Sequence, residues 1–162
     1  MVIRNRLRAA VAQRRTSRQI TGAPFTLPDL HSRRRVNAIA QVGVLVYPGV
    51  TTAEIEAPVH CLADGLDADV VHIGATAEPV VGVEPVRTVH VDLTPHDPEA
   101  LESVVLVIPG GLGWERLVDD LVLMPWLAHA VNRAQGVLAM STGSLVLASA
   151  GRLQGHQATG HW

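Results

Sequence analysis

At 162 residues with a formal net charge of -2, the chain is long enough for one domain with its own core and short for two. Hydrophobic residues make up 48% of it but aromatic ones only 3%, so the core must come from Val, Leu, Ala and Ile, which favours buried parallel strands covered by helices. The lone Cys61 excludes an internal disulfide framework and suits a reducing compartment, and no apolar run reaches the ~18–20 residues of a membrane helix. A cytoplasmic protein without membrane contact is the expectation.

The charge is unevenly spread. Residues 1–40 hold nine arginines against the single Asp29, whereas 41–162 hold four arginines against fourteen acids, giving formal charges of about +8 and -10. Residues 1–40 are expected to be a mostly disordered basic arm, with a short helical possibility around Leu7 to Val11. The arm suits weak nucleic-acid contact, a transit peptide or a nonessential extension, and the extension is the simplest of the three. The folded domain is expected over 41–162.

From Gln41 the pattern changes. Val42-Gly43-Val44-Leu45-Val46-Tyr47 is a short β-branched run closed by Pro48-Gly49, as in a buried parallel strand. Thr51 or Thr52 can cap the helix that follows, with Glu54 and Glu56 in the first turn, where the helix dipole favours acids, and Gly65 near its end. Asp69 to Gly74 reads as a second strand. Val80 to Leu93 alternates β-branched residues around Gly82 and Pro85, which predicts a short hairpin on one side of the sheet.

Ser103 to Ile108 is the clearest central strand, and it ends in Pro109-Gly110-Gly111-Leu112-Gly113, whose glycines let backbone amides approach a ligand. A helical region is predicted over Trp114 to Gln135, with Trp114 and Trp126 as packing residues. Gly136 to Met140 is the next strand, followed at once by Ser141-Thr142-Gly143-Ser144 and a helix from Leu145 to Ala150. Strands alternating with helices predict an α/β fold with a parallel sheet and right-handed crossovers.

Ala139-Met140-Ser141-Thr142-Gly143 differs from the nucleophile-elbow pattern G-x-S-x-G only at its first position, and it lies between a buried strand and a helix as such an elbow must. In open α/β sheets ligands bind at this edge. Ser141 also suits a residue that merely caps the helix, and the elbow alone leaves both readings open. Cys61 is expected to be a small buried hydrophobe. His60, His72, His90, His96 and His156 show no ligand spacing, so no metal site is expected, and no cofactor is implied.

The segment from Gly136 to Trp162, with its elbow, helix and Ala158-Thr159-Gly160-His161-Trp162, resembles the ThiJ/PfpI superfamily, the class I glutamine amidotransferase-like proteins. It is most similar there to isonitrile hydratases and to the sensor domains of AraC-type transcriptional regulators of the GlxA kind. Val107-Ile108-Pro109-Gly110-Gly111 matches the Pro-Gly-Gly loop of that superfamily, and Tyr47 to Thr51 with Glu54 to Pro58 matches its opening motif. The resemblance covers about 41–162 and implies a flavodoxin-like sheet with helices on both faces. It places Ser141 at the nucleophile position, Glu54 at the acidic position beside it and His161 at the nearby histidine. Gly111 and Thr142 fall at backbone positions that bind an oxyanion, with Gly110 beside them.

Two departures follow from the comparison. Catalytic members carry cysteine at the elbow, and a serine hydroxyl is not ionised by a helix terminus, so Ser141 would need Glu54 or His161 as a base. The chain also stops at the His-Trp pair, where the superfamily continues with a further strand and helix, so a C-terminally truncated fold is expected. A homo-oligomer or a partner chain would then complete the sheet. The resemblance therefore implies a degenerate, non-catalytic domain that senses a small-molecule ligand, as in AraC-type regulators, with no DNA-binding motif in this chain. The alternative is a hydrolase or hydratase of the isonitrile-hydratase kind with Ser141 as nucleophile.

Overall fold

A computed structural model of the protein describes residues 2–3, 40–66 and 68–160. Four strands form the parallel centre of the main sheet: β2 (Ala40–Leu45), β3 (Ala68–Ile73), β6 (Val105–Ile108) and β7 (Gly136–Ala139). A short β1 (Val2–Ile3) pairs antiparallel with the outer side of β7, Val2 opposite Leu138, and the sheet order is β1-β7-β6-β2-β3. These two residues belong to the basic arm; the rest of it, 4–39, lies outside the described residues, as does the helical possibility around Leu7 to Val11.

The strands are apolar because both faces of the sheet are covered. Val42, Val44, Leu45, Leu106, Val107 and Ile108 are completely buried, as central parallel strands between helical layers should be. β2 leads to β3 through α1 (Thr52–Leu66), moving one way across the sheet. From β6 the chain moves the other way to β7 through α2 (Trp114–Leu117) and α3 (Leu123–Arg133). Right-handed crossovers running in opposite directions put their helices on opposite faces. The direction reverses between β2 and β6, which makes that gap the switch point where open α/β sheets take ligands. A last helix, α4 (Gly143–Ser149), follows β7.

Three local expectations differ from the structure. The helical region after the glycine loop is two helices, because the Asp120 carboxylate accepts the amides of Val122 and Leu123 at 2.8 and 2.7 Å and starts α3 afresh. Thr52 does not cap α1 with its side chain. Its hydroxyl lies 2.6 Å from the Pro85 carbonyl and 3.1 Å from that of Val83, so it clamps the hairpin of β4 (Val80–Gly82) and β5 (Arg87–Val89) onto the start of α1. Cys61 is exposed rather than buried. The inward stripe of α1 runs through Ile55, Pro58, Val59 and Leu62 at i, i+3, i+4 and i+7, and Cys61 falls off it.

Candidate functional site at the β2–β6 switch point

Three loops leave the carboxyl ends of the adjacent strands β2, β6 and β7, and strand register brings them together. Val44 lies opposite Val107, and Ile108 opposite Ala139. The loop after β2 carries Tyr47 to Thr51 and then Glu54 in the first turn of α1. It is stitched to the loop after β6 by an antiparallel bridge between Val50 and Gly111 and by the Thr51 amide donating to the Gly110 carbonyl at 2.8 Å. The loop after β7 is the corner Met140-Ser141-Thr142, held to β6 by the Met140 amide on the Ile108 carbonyl at 3.0 Å.

Ser141 occupies the left-handed region with φ 46°, a conformation that costs a non-glycine residue on the order of 1–2 kcal/mol. The fold holds it there through its carbonyl, which accepts the Ser144 hydroxyl at 2.8 Å and the Ser144 amide at 3.2 Å. The Ser141 hydroxyl has no hydrogen-bond partner among the described residues, so the reading of Ser141 as a simple helix cap has no bond to support it.

The neighbouring loop fits against this corner only because it is glycine. A Cβ on Gly110 would lie 2.9 Å from the Cβ of Ser141 and 2.8 Å from Thr142 Oγ1, and one on Gly143 would collide with the Ile108 carbonyl. The amides of Gly110 and Gly111 are already bonded. The Gly110 N–H donates to Glu54 Oε2 at 2.7 Å, and the Gly111 N–H donates to Thr142 Oγ1 at 3.0 Å.

Beneath the loop, Tyr47 is 2% exposed and donates its hydroxyl to the Pro109 carbonyl at 3.0 Å. Burial first, and the nearby Glu54 charge second, push its phenol far above its usual range. Sequence reasoning missed Tyr47 as a part of the site, although its place just before Pro48-Gly49 at the end of a buried strand was the available signal.

The structure thus brings together Ser141, Glu54, Gly110, Gly111 and Thr142. His161 lies outside the described residues. Among the described residues no group of three or more His, Cys, Asp or Glu side chains is arranged to hold a metal ion. A surface hollow lined by Asp120, Leu121, Met124 and Ser149 lies at the far end of α4 from Ser141.

Comparisons with known proteins bear on the family and the fold. Residues 40–162 match the DJ-1/PfpI family. The chain belongs to that family. The isonitrile hydratase of Pseudomonas putida is 32% identical over 122 residues, which is 75% of this chain and 52% of that enzyme. The chain therefore spans about half the length of the curated relative it matches.

Among solved DJ-1/PfpI structures, a ThiJ/PfpI family protein from Pseudomonas syringae superposes with a TM-score of 0.68 at 29% identity, over 86% of this chain and 58% of that one. A two-domain protein from Anabaena variabilis, with dj-1/thij/pfpi-like and ferritin-like domains, gives 0.67 at 26% identity, covering 75% of this chain and 35% of that one. The flavodoxin-like parallel sheet with helices is that of the family. No helix of the described residues is long and apolar enough to cross a membrane.

Proposed function

We propose that the corner around Ser141 binds a small molecule without transforming it, so that the domain is a degenerate, non-catalytic DJ-1/PfpI ligand-sensing module. One observation carries this reading: the Glu54 carboxylate, one of the two candidate bases, is bonded to the Gly110 amide and not to the Ser141 hydroxyl. A serine hydroxyl is a weak nucleophile unless a base bonded to it takes its proton. What remains is a strained, projecting hydroxyl and a carboxylate at the switch point, which is the equipment of a binding site. The kinship to sensor domains of AraC-type transcriptional regulators rests on the motif from Gly136 to Trp162.

The second reading, a hydratase acting through Ser141 as a nucleophile elbow, is favoured by the 32% identity to an isonitrile hydratase. A direct test of the first reading is a thermal-shift and NMR titration of the full chain against a panel of small amides, amines, alcohols and carboxylates. A ligand whose affinity falls at least tenfold in both Ser141→Ala and Glu54→Gln is the expected result. Ligands indifferent to both substitutions would place any binding elsewhere and overturn it.

A further inference from the structure

We infer that Thr142 sets which ligands this site accepts, by filling with its own hydroxyl the backbone donor that a carbonyl or carboxylate oxygen would otherwise take. The inference rests on the reading of the Ser141 corner as a binding site. Thr142 Oγ1 accepts the Gly111 amide at 3.0 Å and faces the Gly111 carbonyl at 3.4 Å, so the side chain and the loop residue satisfy one another. The other amide of the loop, that of Gly110, is taken by Glu54. The glycine loop beside Ser141 therefore presents no vacant donor in either of these two amides.

Two side chains beside these amides are open to a ligand. Ser141 offers a hydroxyl that can donate or accept, and Glu54 offers a carboxylate acceptor that forms no salt bridge among the described residues. This combination selects a neutral or cationic group that carries N–H or O–H donors, such as a primary amide, an amine or an alcohol. A carboxylate meets the Glu54 charge and must also displace a hydroxyl that is tethered to the chain, which competes at a high effective concentration. Hydrogen bonds to an ionised group are worth more than neutral ones, so uncovering the Gly111 donor should favour carboxylates most.

The test titrates the full chain with acetate and, separately, acetamide, following the backbone amide resonance of Gly111 by NMR. The wild-type chain should prefer acetamide. Thr142→Ala, which removes the hydroxyl, should bind acetate about tenfold more tightly than the wild type does, and Thr142→Ser, which retains it, should keep the wild-type preference. Equal acetate affinity in Thr142→Ala and the wild type would overturn the inference, and so would Thr142→Ser behaving like Thr142→Ala.

Hydrogen exchange of the Gly111 amide in the wild-type chain is a second reading that does not depend on the folding of any variant. Slowed exchange is expected, and exchange at the rate of an unprotected loop would contradict the bond. Isonitrile turnover by the wild type would remove the non-catalytic reading yet leave the acetate preference of Thr142→Ala as an independent result.

Discussion

The Glu54 carboxylate accepts the Gly110 amide at 2.7 Å across 56 positions of sequence, and this bond ties the first turn of α1 to the loop after β6. Its removal should be felt in stability. Glu54→Ala leaves the Gly110 donor without its acceptor, which costs about 1–3 kcal/mol, while Glu54→Gln keeps an acceptor and should cost less. Denaturant titration should show both midpoints lowered in that order with the slope unchanged. A Glu54→Ala chain as stable as the wild type would mean that the bond does not hold the loop.

Tyr47 is the single tyrosine of the sequence, so tyrosinate absorbance reports on it alone. Burial, then the Glu54 charge, raise its folded pKa well above the ordinary 10.0. The folded state thus keeps a proton that the unfolded state releases. Stability is fully present below about pH 10 and declines as pH rises beyond it. The folded chain should show no tyrosinate up to the onset of alkaline unfolding, and Glu54→Gln, which removes only the smaller of the two causes, should leave that so. Ordinary titration near pH 10 in the folded chain would contradict the buried Tyr47–Pro109 bond.

The left-handed φ of Ser141 predicts an unusual pattern of substitution. Ser141→Gly relieves strain on the order of 1–2 kcal/mol but gives back about 0.5–1 kcal/mol through the freer unfolded chain, for a net gain of about 0–1.5 kcal/mol. Ser141→Val puts a β-branched side chain where φ is positive and should destabilise by at least 1 kcal/mol, as an order of magnitude. Thermal unfolding of the two variants beside the wild type checks this. A Val variant more stable than the Gly variant would show that Ser141 is not strained.

Acid sensitivity should come in part from His72 on β3. Burial lowers its pKa from the ordinary 6.5, outweighing the neighbouring Asp92, with which it pairs at 3.3 Å, and His90 lowers it further. As pH falls through about 6.5 the unfolded state takes up this proton before the folded state does, so stability declines on acidification. His72→Gln should flatten the stability profile from pH 6.5 downward. An unchanged acid limb would assign that decline to other groups.

Much of this site was legible in the sequence, for a physical reason. Apolar β-branched runs closed by Pro48-Gly49, Pro109-Gly110-Gly111 and Ser141-Thr142-Gly143 mark strand ends by local turn chemistry, and parallel strands put all three ends on one edge. The side-chain bonds that give the site its character were not legible. Thr142 reaches Gly111, and Thr52 reaches Val83, each across 31 positions. Neither partner choice follows from local propensity, since Thr52 had every local reason to cap α1. Asp120 divided the predicted long helix for a related reason: a single carboxylate two or three residues upstream of two free amides restarts the helix. Cys61 could have been placed, because the stripe Ile55, Pro58, Val59 and Leu62 is periodic in the sequence itself.

The most direct measurement is hydration of a simple alkyl isonitrile to its N-substituted formamide by the purified chain, compared among wild type, Ser141→Ala and Ser141→Cys. The account predicts that the wild type yields no more formamide than Ser141→Ala, because the Glu54 carboxylate is committed to the Gly110 amide and not to the Ser141 hydroxyl. Wild-type turnover that Ser141→Ala abolishes would contradict it and make Ser141 a working nucleophile.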